Sequence, residues 1–363
     1  MCYCEHSTST ETQKAERKLQ IIQKQLTEIK AQKISLIFTH LYKLNKFNGN
    51  VLVTLRGKEI YKAALGYAHF EQLQPLNFQT TFKIASISKQ FTAMAVMILY
   101  EQKKLSFDDA VSLHLPEFPY KEITIRHLLT HTSGLPEYLH FLAKDSLWSY
   151  AKNSDIINWL VHEVPPLQFQ AGTQFQYNNT GYVVLAELVS RLAEMPFSLF
   201  MKQYIFEPLE MKNTYVLEYL QHLPTVNRAW GYDPTMRNII EDSPFRYTQG
   251  DSGIYSSIED LQKWDKALYT QQLVSFQTLF QAYKPYTFPD GTHSPYGFGY
   301  YLKDNLQTVY HYGNGAGFRS AIIRNLKEKN CIIILDNTSN PRIEQLAEMV
   351  ENILHDRPIT VPQ

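Results

Sequence analysis

Three cysteines in 363 residues cannot build a disulfide framework. Cys2 and Cys4 are the one close pair, in a polar N-terminus, and with Cys331 they read as free thiols; a metal clip there would have only His6 as a further ligand. No apolar run approaches the roughly 18 to 20 residues that a membrane helix needs. The best candidates, Phe91 to Leu99 and Cys331 to Leu335, are core-sized. Charge of a dominant sign is missing as well: 35 Lys and Arg balance 35 Asp and Glu. No overall field therefore draws the chain to nucleic acid or anionic lipid. Met1 to His6 lack the basic region and apolar stretch of a secretory signal. That favours a cytosolic protein, with a processed, exported form as the alternative. There is no internal repeat or low-complexity tract, and no Gly-x-Ser-x-Gly elbow, which argues against an ordinary α/β-hydrolase.

What is present is a folding composition, 44% hydrophobic and 19% charged. A chain this long can bury about three quarters of its unfolded surface. Residues 1–10 read as a mobile terminus. Over residues 11–46, Leu19, Ile22, Leu26, Ile29 and Leu36 recur at spacings typical of one helical face, which predicts a long amphipathic helix. It carries six positive and two negative residues between Lys14 and Lys33, and is expected to lie on a sheet or pair with another chain, with a basic membrane-surface helix as the alternative.

Asn50 to Leu55 and Glu59 to Leu65 flank Arg56-Gly57-Lys58 and predict an antiparallel hairpin. Ser88 to Lys103, free of Gly and Pro, predicts a buried helix. From about Leu105 to Ala282 helical patterns alternate with Pro and Gly punctuation. Short strands return at Gly297 to Leu302, Gln307 to Tyr312, Phe318 to Arg324 and Asn330 to Asp336, before a helix from Pro341 to His355. Helices and strands thus segregate in blocks. The expected class is α+β: an antiparallel sheet domain (residues 47–104 and 283–363) flanked by the N- and C-terminal helices, with an all-helical domain (105–282) inserted. A cleft between the blocks is the expected place for chemistry.

Ser-x-x-Lys puts a hydroxyl and an amine on one helical face, because residues i and i+3 are neighbours there. A desolvated lysine can lose its proton and accept that of the serine. The tetrapeptide occurs twice, as Ser86-Ile87-Ser88-Lys89 and Ser149-Tyr150-Ala151-Lys152. Only the first opens a buried helix. Tyr-x-Asn also occurs twice, as Tyr177-Asn178-Asn179 and Tyr312-Gly313-Asn314; a phenol can relay protons and an amide can orient a carbonyl. His311-Tyr312-Gly313-Asn314-Gly315-Ala316-Gly317 ends a strand with three glycines that permit close backbone approach, though on its own it reads more simply as a plain hairpin turn.

In this order and separation, Ser86-x-x-Lys89, Tyr177-x-Asn179 and His311-Tyr312-Gly313 resemble the motifs of the serine β-lactamase and penicillin-recognising superfamily, more closely its class C β-lactamase-related branch of esterases and D-amino-acid-specific peptidases. The resemblance spans about residues 45–355 and extends to Ile123 to Leu135, Glu207 to Thr214 and Gly253 to Ser257. It implies a β-lactamase/transpeptidase-like fold and acyl transfer through a covalent acyl-enzyme. Ser86 would be the nucleophile, Lys89 with Tyr177 would move its proton, and Tyr177 would activate the deacylating water. Asn179 would hold Lys89 and the substrate amide, and the backbone N–H groups of Ser86 and Asn314 would hold the oxyanion. Losing such a donor costs about 3 to 4 kcal/mol in barrier elsewhere.

His311 stands where the family has a lysine. An imidazole only partly charged at pH 7 replaces a permanent cation, so esters, amides or short peptides, D-residues included, are expected ahead of β-lactams. No cofactor or metal is required. His127 and His131 have the i, i+4 spacing of a helical metal pair, but no Glu follows the first. Gly250-Asp251-Ser252-Gly253 is like the nucleophile loop of trypsin-like proteases, yet a helical middle block does not suit their double β-barrel. The expected partner is a small-molecule or peptide substrate, not nucleic acid. A second reading is a catalytically silent binding or scaffold module that self-associates through the N-terminal helix.

Overall fold

In a computed structural model, which describes residues 5–142, 150–218, 227–240 and 247–360, the chain opens with helix α1, Glu5–Lys43. Residues 5–10 belong to this helix; Cys2 and Cys4 lie outside the described residues. Strands β1 (Gly49–Leu55) and β2 (Lys58–Leu65) form the expected hairpin. A short strand β3 (Thr81–Lys83) leads through one tight helical turn, Ala85–Ile87, into α2 (Ser88–Glu101). The middle block contains α3 (Asn179–Ala193) among shorter helices, and two short strands, β4 (Tyr215–Val216) and β5 (Ile254–Ser257). The last block is β6 (Tyr301–Lys303), β7 (Thr308–Gly315), β8 (Phe318–Asn325), β9 (Asn330–Asp336) and helix α4 (Ile343–Leu354).

The main sheet is antiparallel, in the order β2-β1-β9-β8-β7-β6. Side chains alternate across a strand, and here the alternation feeds two cores. Val51, Val53, Ile332 and Ile334 face α1 and α4, where they meet Ile34, Phe38, Leu346 and Val350. Leu52, Cys331, Ile333 and Leu335 face α2 and the helical block. β9, buried along its whole length, reads as a continuous apolar run for this reason. Each such side chain contributes about 1.5 to 3 kcal/mol by leaving water. α2 is buried from Ser88 to Leu99, with Phe91 stacked on Trp264 at 4.1 Å between ring centroids. β3 pairs with β5, and β5 with β4, so a small second sheet ties the inserted block to the chain just before α2.

Two expectations change. The Gly297 to Leu302 strand shrinks to Tyr301–Lys303, because the preceding backbone crosses the first turn of α2: a Cβ on Gly299, whose φ is +82°, would lie 2.8 Å from Gln90 Cα. The second change concerns α1. Leu19, Ile22, Leu26, Ile29 and Leu36 are all exposed, and the face packed on the sheet is Ile34, Phe38 and Leu41. The helix is buried only toward its C-terminal end, and the apolar repeat stays at least two-fifths exposed.

Candidate active site

The turn that carries Ser86 is held in an unusual backbone. Ala85 has φ +47°, a left-handed value that costs a residue with a Cβ roughly 1 kcal/mol or more. Ile87 N–H donates to Ile84 O at 3.2 Å and closes the turn. Lys89 follows in the first turn of α2, fully buried. Its Nζ lies 3.1 Å from Ser86 Oγ, 2.7 Å from Asn179 Oδ1 and 2.8 Å from the carbonyl oxygen of Asp251. The last two atoms only accept. A neutral amine would give its two N–H groups to them and turn its lone pair to the serine hydroxyl. Burial lowers the Lys89 pKa to about 8, against the charges of Asp251 and Glu137, which favour the ammonium.

Asp251 belongs to the loop that is like a protease nucleophile segment. The loop serves here through its backbone. Thr92 Oγ1 donates to Gly250 O at 2.7 Å and Ile254 N–H donates to Ser88 Oγ at 3.3 Å, which fastens the loop to the start of α2. Positive φ at Gly250 (+99°) and Gly253 (+90°) bends it so that the Asp251 carbonyl reaches Lys89. The Asp251 carboxylate is buried and accepts from Tyr138 Oη at 2.9 Å.

Tyr177 comes from the loop before α3, and Asn178 caps that helix by accepting from Gly181 N–H at 2.8 Å. Lys89 Nζ lies 4.8 Å from the centroid of the Tyr177 ring, and Tyr301 stacks on the ring at 6.2 Å. The Tyr177 hydroxyl is closed off from solvent and makes no hydrogen bond of normal geometry among the described residues. Burial holds its pKa well above that of a free phenol, and the Ser86 hydroxyl pulls it back in part. This phenol stays protonated. It suits proton donation better than the role of a phenolate that activates water.

β7 forms the opposite wall. Beyond Tyr310 it has no strand partner other than β8 among the described residues, so its free edge from His311 to Gly315 runs along the Ser86 turn. Gly313 is required there, since a Cβ would fall 2.4 Å from Ile84 O and 2.0 Å from Ser320 Oγ. A cavity of about 370 Å³ lies against this edge, and Ser86, Asn179 and Asn314 line it. A larger one, about 590 Å³, lies between Ser198 and Glu218 and contains none of these groups.

His311 departs from expectation. Its ring does not line the cavity: Nδ1–H donates to Tyr312 O at 2.7 Å and Nε2 accepts from Tyr296 Oη at 2.9 Å. Burial, with the Lys89 charge, lowers its pKa to about 3, so it is neutral rather than partly charged at pH 7. Positive charge reaches the cavity wall instead from Lys83 and Arg319, which sequence reasoning missed. Arg319 faces Asn314 across β7 and β8, but only strand register reveals this. Glu137 and Tyr138 were also missed, although they directly follow the Ile123 to Leu135 stretch.

The remaining alternatives separate on geometry. His131 lies beyond the helix Ile125–Leu129 with φ +57°, and its buried Nδ1 accepts from Asn178 N–H at 3.1 Å. His127 serves in the cap of that helix and bonds Tyr286 Oη at 3.2 Å. The two do not form a helical metal pair. Lys152 sits at the exposed start of the helix Asn153–Glu163, and Ser149 lies outside the described residues.

A family model described as Beta-lactamase matches residues 41–353. Penicillin-binding protein 4* of Bacillus subtilis is 32% identical over 352 residues, which cover 92% of this chain and 78% of that protein. Protein flp of Staphylococcus aureus is 26% identical, over 93% of this chain and 69% of its own. Among solved structures, the octameric penicillin-binding protein homologue from Pyrococcus abyssi superposes with a TM-score of 0.77 at 24% identity, covering 90% of this chain and 77% of that one. The D-amino acid amidase from Ochrobactrum anthropi SV3 gives 0.73 at 20% identity, over 91% and 99%. With the family model spanning most of its length and a 32% identical relative aligned over 92% of it, the chain belongs to the beta-lactamase family of serine hydrolases.

Proposed function

We propose that the protein hydrolyses an ester, amide or short peptide, D-amino-acid-containing ones included, through an acyl-enzyme on Ser86, with weak or no β-lactamase activity. The cleft between residues 47–104 with 283–363 and residues 105–282 takes the substrate. The observation that carries this reading is the Lys89 amine 3.1 Å from Ser86 Oγ, its other bonds taken by two pure acceptors. As Ser86 Oγ bonds to the substrate carbonyl carbon, its proton passes to Lys89 Nζ. The oxyanion forms against the backbone N–H groups of Ser86 and Asn314. When the acyl bond to the leaving group breaks, that group takes a proton from Tyr177, which Lys89 replenishes. Water then attacks the acyl carbon and loses its proton to Lys89, which passes it to Ser86 Oγ as the bond between that oxygen and the acyl carbon breaks.

The neutral, inward-turned His311 supports the preference for esters, amides and peptides, because no permanent cation stands at that position. A fluorophosphonate probe followed by mass spectrometry is expected to give one adduct, on Ser86, absent in Ser86→Ala. p-Nitrophenyl esters should turn over faster than nitrocefin. No adduct would leave the silent-module reading standing, and faster nitrocefin turnover would reverse the substrate order.

A specific observation favours assembly as a second property. Leu19, Ile22, Leu26 and Ile29 are 56%, 42%, 50% and 58% exposed along one stretch of α1. We propose that a second copy of α1 covers them. Light scattering should find a dimer or larger assembly, and replacing the four residues by Gln should yield a monomer; a monomeric wild type would end this reading.

A further inference from the structure

Glu137 takes no part in the steps above, yet it is buried directly behind them. Its Oε2 accepts from the Asn179 backbone N–H at 2.7 Å and from Asn179 Nδ2 at 3.2 Å, and its Oε1 accepts from Leu139 N–H at 3.3 Å. A carboxylate can only accept. The bond from Nδ2 therefore decides which end of the Asn179 amide points where, and turns Oδ1 to Lys89 Nζ at 2.7 Å. The flipped amide would set its NH2 group against the lysine and its oxygen against the carboxylate.

We propose that Glu137 is a positioning residue for the base: it locks the Asn179 amide with the oxygen toward Lys89, and supplies negative charge that stabilises the Lys89 ammonium between proton transfers. The inference rests on Lys89 being the base of the proposed reaction. The groups around Lys89 are Ser86 from the turn before α2, Asn179 and Tyr182 from α3, Tyr177 from the loop ahead of it, and Asp251 from the loop before β5. The His131 and His311 imidazoles also face it, and both are held neutral, chiefly by burial. Glu137 itself feels Asp251 and Lys89. Its pKa is raised by burial and drawn back by the bonds from Asn179 and Leu139.

A carboxylate near an ammonium favours the protonated amine, so Glu137→Gln should lower the Lys89 pKa and move the acid limb of kcat/KM to lower pH. The amide must also set its NH2 group against either the Leu139 N–H or the Asn179 donors, and its neutral oxygen accepts more weakly than a carboxylate, which loosens the hold on Asn179. Glu137→Asp keeps the charge but draws it away from Asn179.

Lys89 can be titrated without turnover, by NMR of 13Cε-labelled lysine assigned with Lys89→Met. Glu137→Gln is expected to lower the midpoint by about one unit and kcat by about tenfold or more, with KM little changed. Glu137→Asp is expected to keep the midpoint near the wild-type value while kcat still falls. An unmoved midpoint in Glu137→Gln, or normal kcat in both variants, would overturn the inference. A midpoint that moves in a protein hydrolysing none of the substrates would uphold the Glu137–Lys89 coupling and sink the hydrolase reading instead.

Discussion

Lys89→Met is expected to slow acylation of Ser86 by about a thousandfold or more and to abolish the pH dependence that the lysine imposes. With its pKa lowered to about 8 by burial, Lys89 is mostly protonated at pH 7. Only the neutral form can take the serine proton, so wild-type kcat/KM should rise with pH and level off above about pH 8. Without the amine, Ser86 keeps an ordinary hydroxyl. Its proton has no acceptor at 3.1 Å, and the protonated Tyr177 cannot substitute. Methionine matches the length of the aliphatic stem, and circular dichroism should show the fold unchanged. Ester hydrolysis and fluorophosphonate labelling from pH 6 to 9.5 measure both effects. A variant that keeps the wild-type rate and the same limb would place the base elsewhere.

Asp265→Ala should destabilise the protein by about 3 to 5 kcal/mol, read as a lower denaturation midpoint. Arg324 on β8 is fully buried: Nε donates to Asp265 Oδ1 at 2.6 Å, Nη2 to Asp265 O at 3.3 Å and Nη1 to Tyr283 Oη at 3.0 Å. Removing the carboxylate strands a guanidinium, which unlike a lysine cannot shed its charge. The cost therefore comes mainly from the charge left behind. Replacing both partners, Asp265→Leu with Arg324→Met, is expected to recover much of the loss. A single substitution costing under about 1 kcal/mol would mean that water reaches Arg324. Activity is a separate readout, because Asp265 lies on the helix Ile258–Ala267 and neither it nor Arg324 lines the cavity that Ser86 borders.

Much of the architecture is legible in the sequence because it is a matter of local period. Val51-Leu52-Val53 and Ile332-Ile333-Ile334 announce buried strands, and the Gly57 turn announces the hairpin between β1 and β2. That Ser86 and Lys89 lie side by side is equally local, since three residues span most of one helical turn. Tyr177 is 91 positions beyond Ser86, and no spacing rule joins the two; only the resemblance did.

α1 marks one limit of such reading. An apolar repeat records that a face is suited to burial, but not whether anything covers it, and Leu19 to Ile29 remain exposed. His311 marks another. Its residue type and place on β7 are local facts, but its charge depends on Tyr296 and on the depth at which the ring lies.

The amino-acid order alone determined the segregation of strands and helices, the pairing of β1 with β2 and the alignment of hydroxyl with amine, because each depends on neighbours within a few residues. Tertiary structure alone decided which groups are charged, which face the cavity and which atoms surround Lys89. Those properties come from desolvation and from the contacts of Lys89 with Asn179 and Asp251 and of Asn179 with Glu137, residues far apart in the sequence that only folding brings together.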